Sequence, residues 1–364
     1  MFRHVPLSSV SGKSDDAFPL KVYEKAHVVP PFPNTPTWPK GSWIREKREK
    51  TYAETEHEIF EKKGFVTMTS FLTEEALAFL RAQVDHVWRF KHPSVQKSWL
   101  MNLHEILPQD RNWIWKLATE PAIVDIVRHH LGKHFVFNSA QILVKPPMSE
   151  DSKGGRIIPW HQDGQIIRTF WICLDDVDEE NGTLILKPGW HTLGSMKVKK
   201  IENQSDYLEG KPQFSMKDGE ISLSVTKPRV PLNVIDVDHY CEGGLEEFEK
   251  DIVQYRLRAG DAAMHHPSLP HMSMPNRSRS RWRRILILRY LPAKFPKPRG
   301  KFHQHVFTAK LFEKNSYLVS GRDVAKQGLL KAPVCSSTPD AAGPPSSSRG
   351  ERGGDSEGGV VREI

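Results

Sequence analysis

In the segment PWHQDGQ (159–165), His161 and Asp163 lie two residues apart. If the segment is extended, successive side chains alternate, so one imidazole and one carboxylate share a side. A single further nitrogen donor completes a two-histidine, one-carboxylate face. Such a face leaves coordination positions open, as oxygen chemistry at Fe(II) requires, whereas a four-ligand structural site leaves none. The pair alone is a common pattern. It gains weight from the order of the downstream segments: a turn at Asn181-Gly182, a Pro-Gly turn at 188–189, a distal histidine group and an arginine-led strand. The distal segment GDAAMHHPSLPHMSMPNRSRSRWRRILILRY (260–290) offers His265, His266 and His271, and spacing leaves open which of them completes the face.

These side chains need a frame. Residues 53–63 read as a short polar helix, followed by Gly64 and a strand at FVTMTS. Thr73 is a suitable N-cap for a helix carrying Leu77, Leu80, Val84 and Trp88 as an apolar stripe, with Glu74 and Glu75 at its positive end. A second helical stretch spans 113–130, interrupted at Pro121 and closed by Gly132. From 134 the pattern turns to short β segments: 135–145, 165–174, 183–187, 251–258 leading into AAMHH, and 283–290. Short strands after helices predict a mainly β protein with flanking helices, an antiparallel sandwich or barrel. Residues 1–50 are Pro-rich and read as an extension or an arm laid over the domain, with Trp38 and Trp43 seeking burial. The oxygenase-type domain is expected over 51–315, with an insertion or lid at 195–250 and a disordered Ser/Gly/Pro tail at 332–364.

The chain has 364 residues, 38% of them hydrophobic, enough for one large core. No run of 18 or more apolar residues is present, so no membrane partner is expected. The N-terminal MFRHVPLSSVSGKSDD lacks an apolar leader, and three cysteines without a CxxC pair disfavour a disulfide framework or structural zinc. The cytoplasm is the expected location, with mitochondrial and peroxisomal placement left open. Net charge is +8, part of it in RSRSRWRR (277–284), which reads as a solvated loop ahead of a nucleic-acid patch. Asp175, Asp176 and Trp190-His191 read as turn residues, not ligands.

Taken together, GFVTMTSFLTEEAL, the HxD at 161–163, WICLDDVDEENGTLILKPGWH and HPSLPHMSMPN with RRILILRY resemble the phytanoyl-CoA dioxygenase family of Fe(II)/2-oxoglutarate oxygenases, over roughly 52–310. The resemblance implies a double-stranded β-helix (jelly roll, cupin-like) core. It selects His271, the second histidine of HPxxxH, as the third iron ligand beside His161 and Asp163, with His266 in support and His265 unassigned. It implies that Arg283 pairs with the distal carboxylate of 2-oxoglutarate, with Ser273 supporting and Trp171 and Gln141 lining the pocket; Lys145 is a weaker candidate. One residue more than the family pattern stands before the arginine strand, so Arg281 and Arg284 compete for the role. The implied reaction decarboxylates 2-oxoglutarate to succinate with dioxygen and hydroxylates an aliphatic C–H of a small organic or acyl substrate. Arg168 and the arginines at 277–281 are candidates for holding an anionic substrate. Asp163 fills the position that halogenation must vacate. Two other readings are a non-catalytic jelly-roll module, which predicts a broken ligand set, and a basic nucleic-acid-binding protein, which rests on the arginine run alone.

Overall fold

The computed structural model of the chain describes residues 38–45, 52–89, 99–101, 103–107, 112–149, 154–155, 157–163, 166–201, 216–217, 220–221, 232–295, 316–326 and 328–333. The extension before residue 38 and the tail from residue 334 lie outside them. The helical part comprises α1 (His57–Lys63), β1 (Phe65–Met68), α2 (Glu74–Arg89), β2 (Trp99–Met101), α3 (Leu103–Ile106), α4 (Trp113–Ala118) and α5 (Pro121–Leu131). The β part begins with β3 (Phe135–Lys145), β4 (Ile158–His161), β5 (Arg168–Cys173) and β6 (Leu184–Leu186). The region expected to form a lid contributes β7 (Val198–Ile201), β8 (Met216–Lys217), β9 (Glu220–Ile221), β10 (Leu232–Ile235) and α6 (Gly244–Phe248). Last come β11 (Val253–Gln254), β12 (Ala262–His265), β13 (His271–Ser273), β14 (Arg283–Pro292), β15 (Tyr317–Ser320) and β16 (Leu330–Lys331).

The larger sheet runs β1-β12-β5-β14-β3-β15-β16, with β2 also paired to β3; the smaller runs β11-β6-β13-β4. From β3 to β6 and from β12 to β14 the chain alternates between the two sheets, the winding of a double-stranded β-helix. All eleven residues of β3 are buried, and β14 is nearly as covered, because each face of the larger sheet has a partner. One face carries Phe137, Ile142, Leu286 and Leu288 into a core shared with Leu80, Val84, Ile114 and Ile126 of the helices. The other carries Trp171, Cys173, Ile285 and Ile287 against Leu184 and Leu186 of the smaller sheet.

Local chemistry explains the helix ends. The Thr73 hydroxyl accepts a hydrogen bond from Ala76 N at 3.2 Å, capping α2. Pro121 opens α5 at its first turn, where a missing N–H is harmless, so the expected interrupted helix is two helices. Gly64 closes α1 at φ 81° and turns the chain into β1. Trp43 is fully buried, its ring 5.2 Å from Phe79 and 5.8 Å from Trp38.

Several boundaries differ from the sequence expectation. The strand expected from 165 starts at Arg168, and that expected over 251–258 shrinks to Val253–Gln254. Strand β4 ends at His161, so Asp163 lies just beyond it, and strand alternation does not orient that carboxylate. The 195–250 stretch carries its own antiparallel pair, β7 with β10, and helix α6. Among the described residues no helix is long and apolar enough to cross a membrane.

Candidate active site

His161 ends β4 and His271 opens β13, and the two residues are direct cross-strand partners. Their rings lie 4.1 Å apart. Asp163 is carried back towards them by its backbone, whose N–H donates to Pro267 O at 2.8 Å. Asp163 Oδ1 then lies 3.8 Å from His161 Nε2 and 4.0 Å from His271 Nε2. One donor atom from each of the three residues falls within 4.8 Å of the others.

Both histidines are held in the same way. His161 Nδ1 donates to Pro159 O at 2.8 Å and His271 Nδ1 to Leu269 O at 2.9 Å. A carbonyl only accepts, so each Nδ1 carries the proton and each Nε2 presents its lone pair inward. Burial pushes both imidazoles below their ordinary pKa, which keeps them neutral and able to ligate. Burial alone would raise the Asp163 carboxyl. The His265 ring at 3.7 Å, Arg289 at 3.8 Å and the two neighbouring histidines outweigh it and hold the carboxylate well below its usual range. Gln162, between His161 and Asp163, turns the other way. Its amide donates to Ser268 O and Gly194 O and accepts from Met196 N, which locks the HxD segment to two loops.

Beyond His271 on β13, Ser273 belongs to a second buried polar cluster. Its hydroxyl donates to Gly182 O at 3.0 Å and accepts from Lys145 Nζ at 2.5 Å; the same ammonium also donates to Met274 O. Lys145 on β3 is the cross-strand partner of Arg283 on β14. Arg283 is fully buried, 5.6 Å over the Trp171 ring, and none of its three side-chain nitrogens has a hydrogen-bond partner among the described residues. Burial pushes its pKa down to about 9. Burial and the neighbouring guanidinium depress Lys145 well below the usual lysine value. Gln141 is buried with its amide nitrogen unpartnered, and it shares the register of Ile287 and Trp171. The Tyr255 hydroxyl and Thr183 Oγ1 are buried and unpartnered too.

The competing arginines are engaged elsewhere. Arg281 bonds Asp178 and Glu180, and Arg284 bonds Asp175 and Asp85. Asp175 is thus an ion-pair partner, and Asp176 accepts from Ala259 N. Arg277 donates to Glu179 O, so two members of the basic run are fastened to the acidic turn that precedes Asn181. The His266 ring accepts at Nδ1 from Ser268 N, and its backbone N–H donates to Gly64 O, which braces the turn. Trp190 and His191 form a short 3-10 turn, and His191 Nε2 donates to Glu61 O. Sequence reasoning missed Gln162, His265 facing Asp163, Tyr255 and Arg289. For Arg289 a signal existed, since it shares the strand face of Arg283 by alternation.

The donor set fits a mononuclear metal, and the orphaned Arg283 guanidinium fits a carboxylate co-substrate beside it. A buried cation without a hydrogen-bond partner costs several kcal/mol, and an anion beside it offsets that cost. The chain has recognisable relatives. It is 23% identical over 262 residues to a probable alpha-ketoglutarate-dependent hypophosphite dioxygenase of Stutzerimonas stutzeri, a match covering 66% of this chain and 79% of that protein. Among solved structures it is similar to the non-heme alpha ketoglutarate dependent carbocyclase SnoK from nogalamycin biosynthesis (18% identity, 70% of this chain, 88% of that chain, TM-score 0.48). It is also similar to the non-heme monooxygenase ThoJ in its nickel complex (20% identity, 76% of this chain, 88% of that chain, TM-score 0.47). The profile described as Phytanoyl-CoA dioxygenase (PhyH) matches residues 60–285, a span that holds the histidine–aspartate pocket and the buried arginine, and the chain belongs to that family.

Proposed function

We propose that His161, Asp163 and His271 hold Fe(II), and that Arg283, with Lys145 and Ser273 beside it, receives the distal carboxylate of 2-oxoglutarate. The protein is a 2-oxoglutarate-dependent non-haem iron dioxygenase, and the reaction we assign is hydroxylation of an aliphatic C–H of a small organic or acyl substrate. The observation that carries this reading is the pairing of two pockets on one strand. His271 stands opposite His161, and Ser273, two residues on, is bonded by Lys145, the cross-strand partner of the buried Arg283. Iron bound there supplies oxidative decarboxylation of 2-oxoglutarate to succinate and carbon dioxide, coupled to insertion of one oxygen atom of dioxygen into the substrate.

The side chains have separable tasks. The neutral imidazoles and the ionised carboxylate match a divalent cation without proton release at neutral pH. A planar guanidinium gives a carboxylate two parallel hydrogen bonds, a geometry lysine lacks. Trp171 and Gln141 wall the cleft between the sheets, and with Leu184, Ile285 and Ile287 they exclude water from it. Arg281 is taken up by ion pairs, and Arg168, at the start of β5, lies on the helix side of its strand beside Phe60 and Glu61, so neither is assigned to the substrate. Cys173 and Cys241 are unpaired thiols, which suits a reducing compartment such as the cytoplasm, where iron stays ferrous.

The test is anaerobic titration with Fe(II) and 2-oxoglutarate, followed by succinate release on admitting oxygen. His161→Ala and His271→Ala abolish iron binding on this reading. Iron binding that survives His271→Ala but is lost in His266→Ala overturns the ligand choice.

A further inference from the structure

A second set of donors converges outside that pocket. Helix α1 places His57 and Glu61 four residues apart, on one face, and α5 brings His130 to them. One ligand atom from each of the three lies within 4.8 Å of the others. His130 Nε2 is engaged by the Tyr52 hydroxyl. Its Nδ1 is buried, has no hydrogen-bond partner among the described residues, and lies 3.7 Å from Glu61 Oε1. His57 Nδ1 is likewise buried and unpartnered. None of these groups takes part in the chemistry assigned to His161, Asp163, His271 and Arg283.

We propose that His57, Glu61 and His130 form a second cation site, taking a borderline divalent metal of the zinc class, that fastens α1 to α5. The donor chemistry narrows the metal to this borderline class. Two imidazoles and one carboxylate suit zinc at bond lengths of about 2.0–2.2 Å, with a fourth position left to water. Calcium and magnesium want more oxygen donors than are present. Tyr52 acts as the outer partner that orients a ligating histidine: it accepts Nε2–H and leaves the Nδ1 lone pair facing Glu61. Burial, above all, pushes His130 down to about 2, so the ring is neutral throughout the physiological range. Arg168 faces the same cluster, its guanidinium 5.9 Å from the Phe60 ring that packs on His130, and the Glu61 carboxylate offsets that charge. The placement gives the site a structural purpose. The end of α1 supports the turns around the oxygenase pocket through Glu61 O with His191, Lys63 O with Gly189 N, and Gly64 O with His266 N. A metal that clamps α1 also steadies those turns.

The test uses the full chain, stripped by chelator, equilibrated with zinc, freed of excess metal and analysed for metal content. The wild-type chain retains two zinc ions, and His161→Ala/His271→Ala retains one. Adding Glu61→Gln or His57→Gln to that background weakens the remaining site by ~10-fold to ~100-fold and removes the tetrahedral visible absorption given by Co(II) in place of zinc. Zinc at about a hundredfold above its Kd raises Tm by roughly 5 °C, and either substitution cancels the rise. Glu61 is 61% exposed at its side chain, so its variant folds even if one at buried His130 does not. If the double variant misfolds, the wild-type count falling from two to one on Glu61→Gln carries the same information. The proposal is overturned if the double variant folds but retains no zinc, or if the zinc count, the Co(II) absorption and the Tm rise are indifferent to Glu61 and His57.

Discussion

Replacing Arg283 by methionine separates a group kept for a ligand from a group kept for the fold. The guanidinium is fully buried and unpartnered, and its pKa is pushed from 12.5 down to about 9. At 1.36 kcal/mol per pKa unit, staying charged at neutral pH costs the ligand-free fold roughly 5 kcal/mol. Methionine removes that penalty, relieves the neighbouring Lys145, and gives back part of the gain as a small cavity. The ligand-free variant is therefore expected to melt several degrees above the parent. 2-Oxoglutarate binding moves the opposite way. Two charge-assisted hydrogen bonds at ~1.5–3 kcal/mol each amount to ~3–6 kcal/mol, so Kd for 2-oxoglutarate rises about 10²-fold to 10⁴-fold. Arg283→Lys keeps the charge, loses the fork, and falls between. The assays are calorimetric melting without metal or co-substrate, and anaerobic 2-oxoglutarate titration of the Fe(II)-loaded protein. Arg281→Ala and Arg284→Ala serve as controls, because their acidic partners hold them away from the cleft. A lower Tm with unchanged 2-oxoglutarate affinity refutes the reasoning, as does a large loss of affinity in either control with none at Arg283.

Three further outcomes are expected. His265→Ala removes the ring facing Asp163 at 3.7 Å, and iron affinity should fall ~10-fold to ~100-fold while the fold survives, read by metal titration beside a circular dichroism melt. Gly182→Ala sets a Cβ 2.6 Å from Met274 O at φ +81° and displaces the carbonyl that Ser273 bonds; it should cost about 1–3 kcal/mol in urea unfolding and raise KM for 2-oxoglutarate more than it lowers kcat. The imidazoles of His130 and His266, pushed down to about 2 and about 3 by burial, are neutral when folded and protonate near 6.5 when unfolded. Between those values the unfolded chain binds more protons, so their contribution is complete above pH 6.5 and drains away on acidification towards pH 3; His266→Gln should flatten the urea midpoint between pH 7 and pH 4, and an unchanged slope counts against the assignment.

What was readable from sequence and what was not divides along one physical line. Side-chain type and near-neighbour spacing carried the HxD pair as candidate donors, because the two sit two residues apart; among the three downstream histidines spacing chose none, and the family resemblance singled out His271. Even there strand alternation is an incomplete reason: β4 stops at His161, and a hydrogen bond to Pro267 O, more than a hundred residues away in sequence, aims Asp163. The helix boundaries at Thr73, Pro121 and Gly132 were readable because caps and prolines act locally. The choice among Arg281, Arg283 and Arg284 was not readable by periodicity, since the larger sheet is covered on both faces and both sets of β14 side chains are apolar. What separates them is pairing. Asp178, Glu180, Asp175 and Asp85, all distant in sequence, claim the outer two and leave Arg283 with Lys145 and no acid. Lys145 was undervalued for the same reason, because its weight comes from standing opposite Arg283 in the register of β3 and β14. Counting which buried charges already have partners therefore points to the anion pocket we propose more sharply than counting basic residues. The same count applied to imidazole nitrogens includes His57 and His130, which converge with Glu61 and which the sequence presents only as part of a short polar helix and the end of an apolar one.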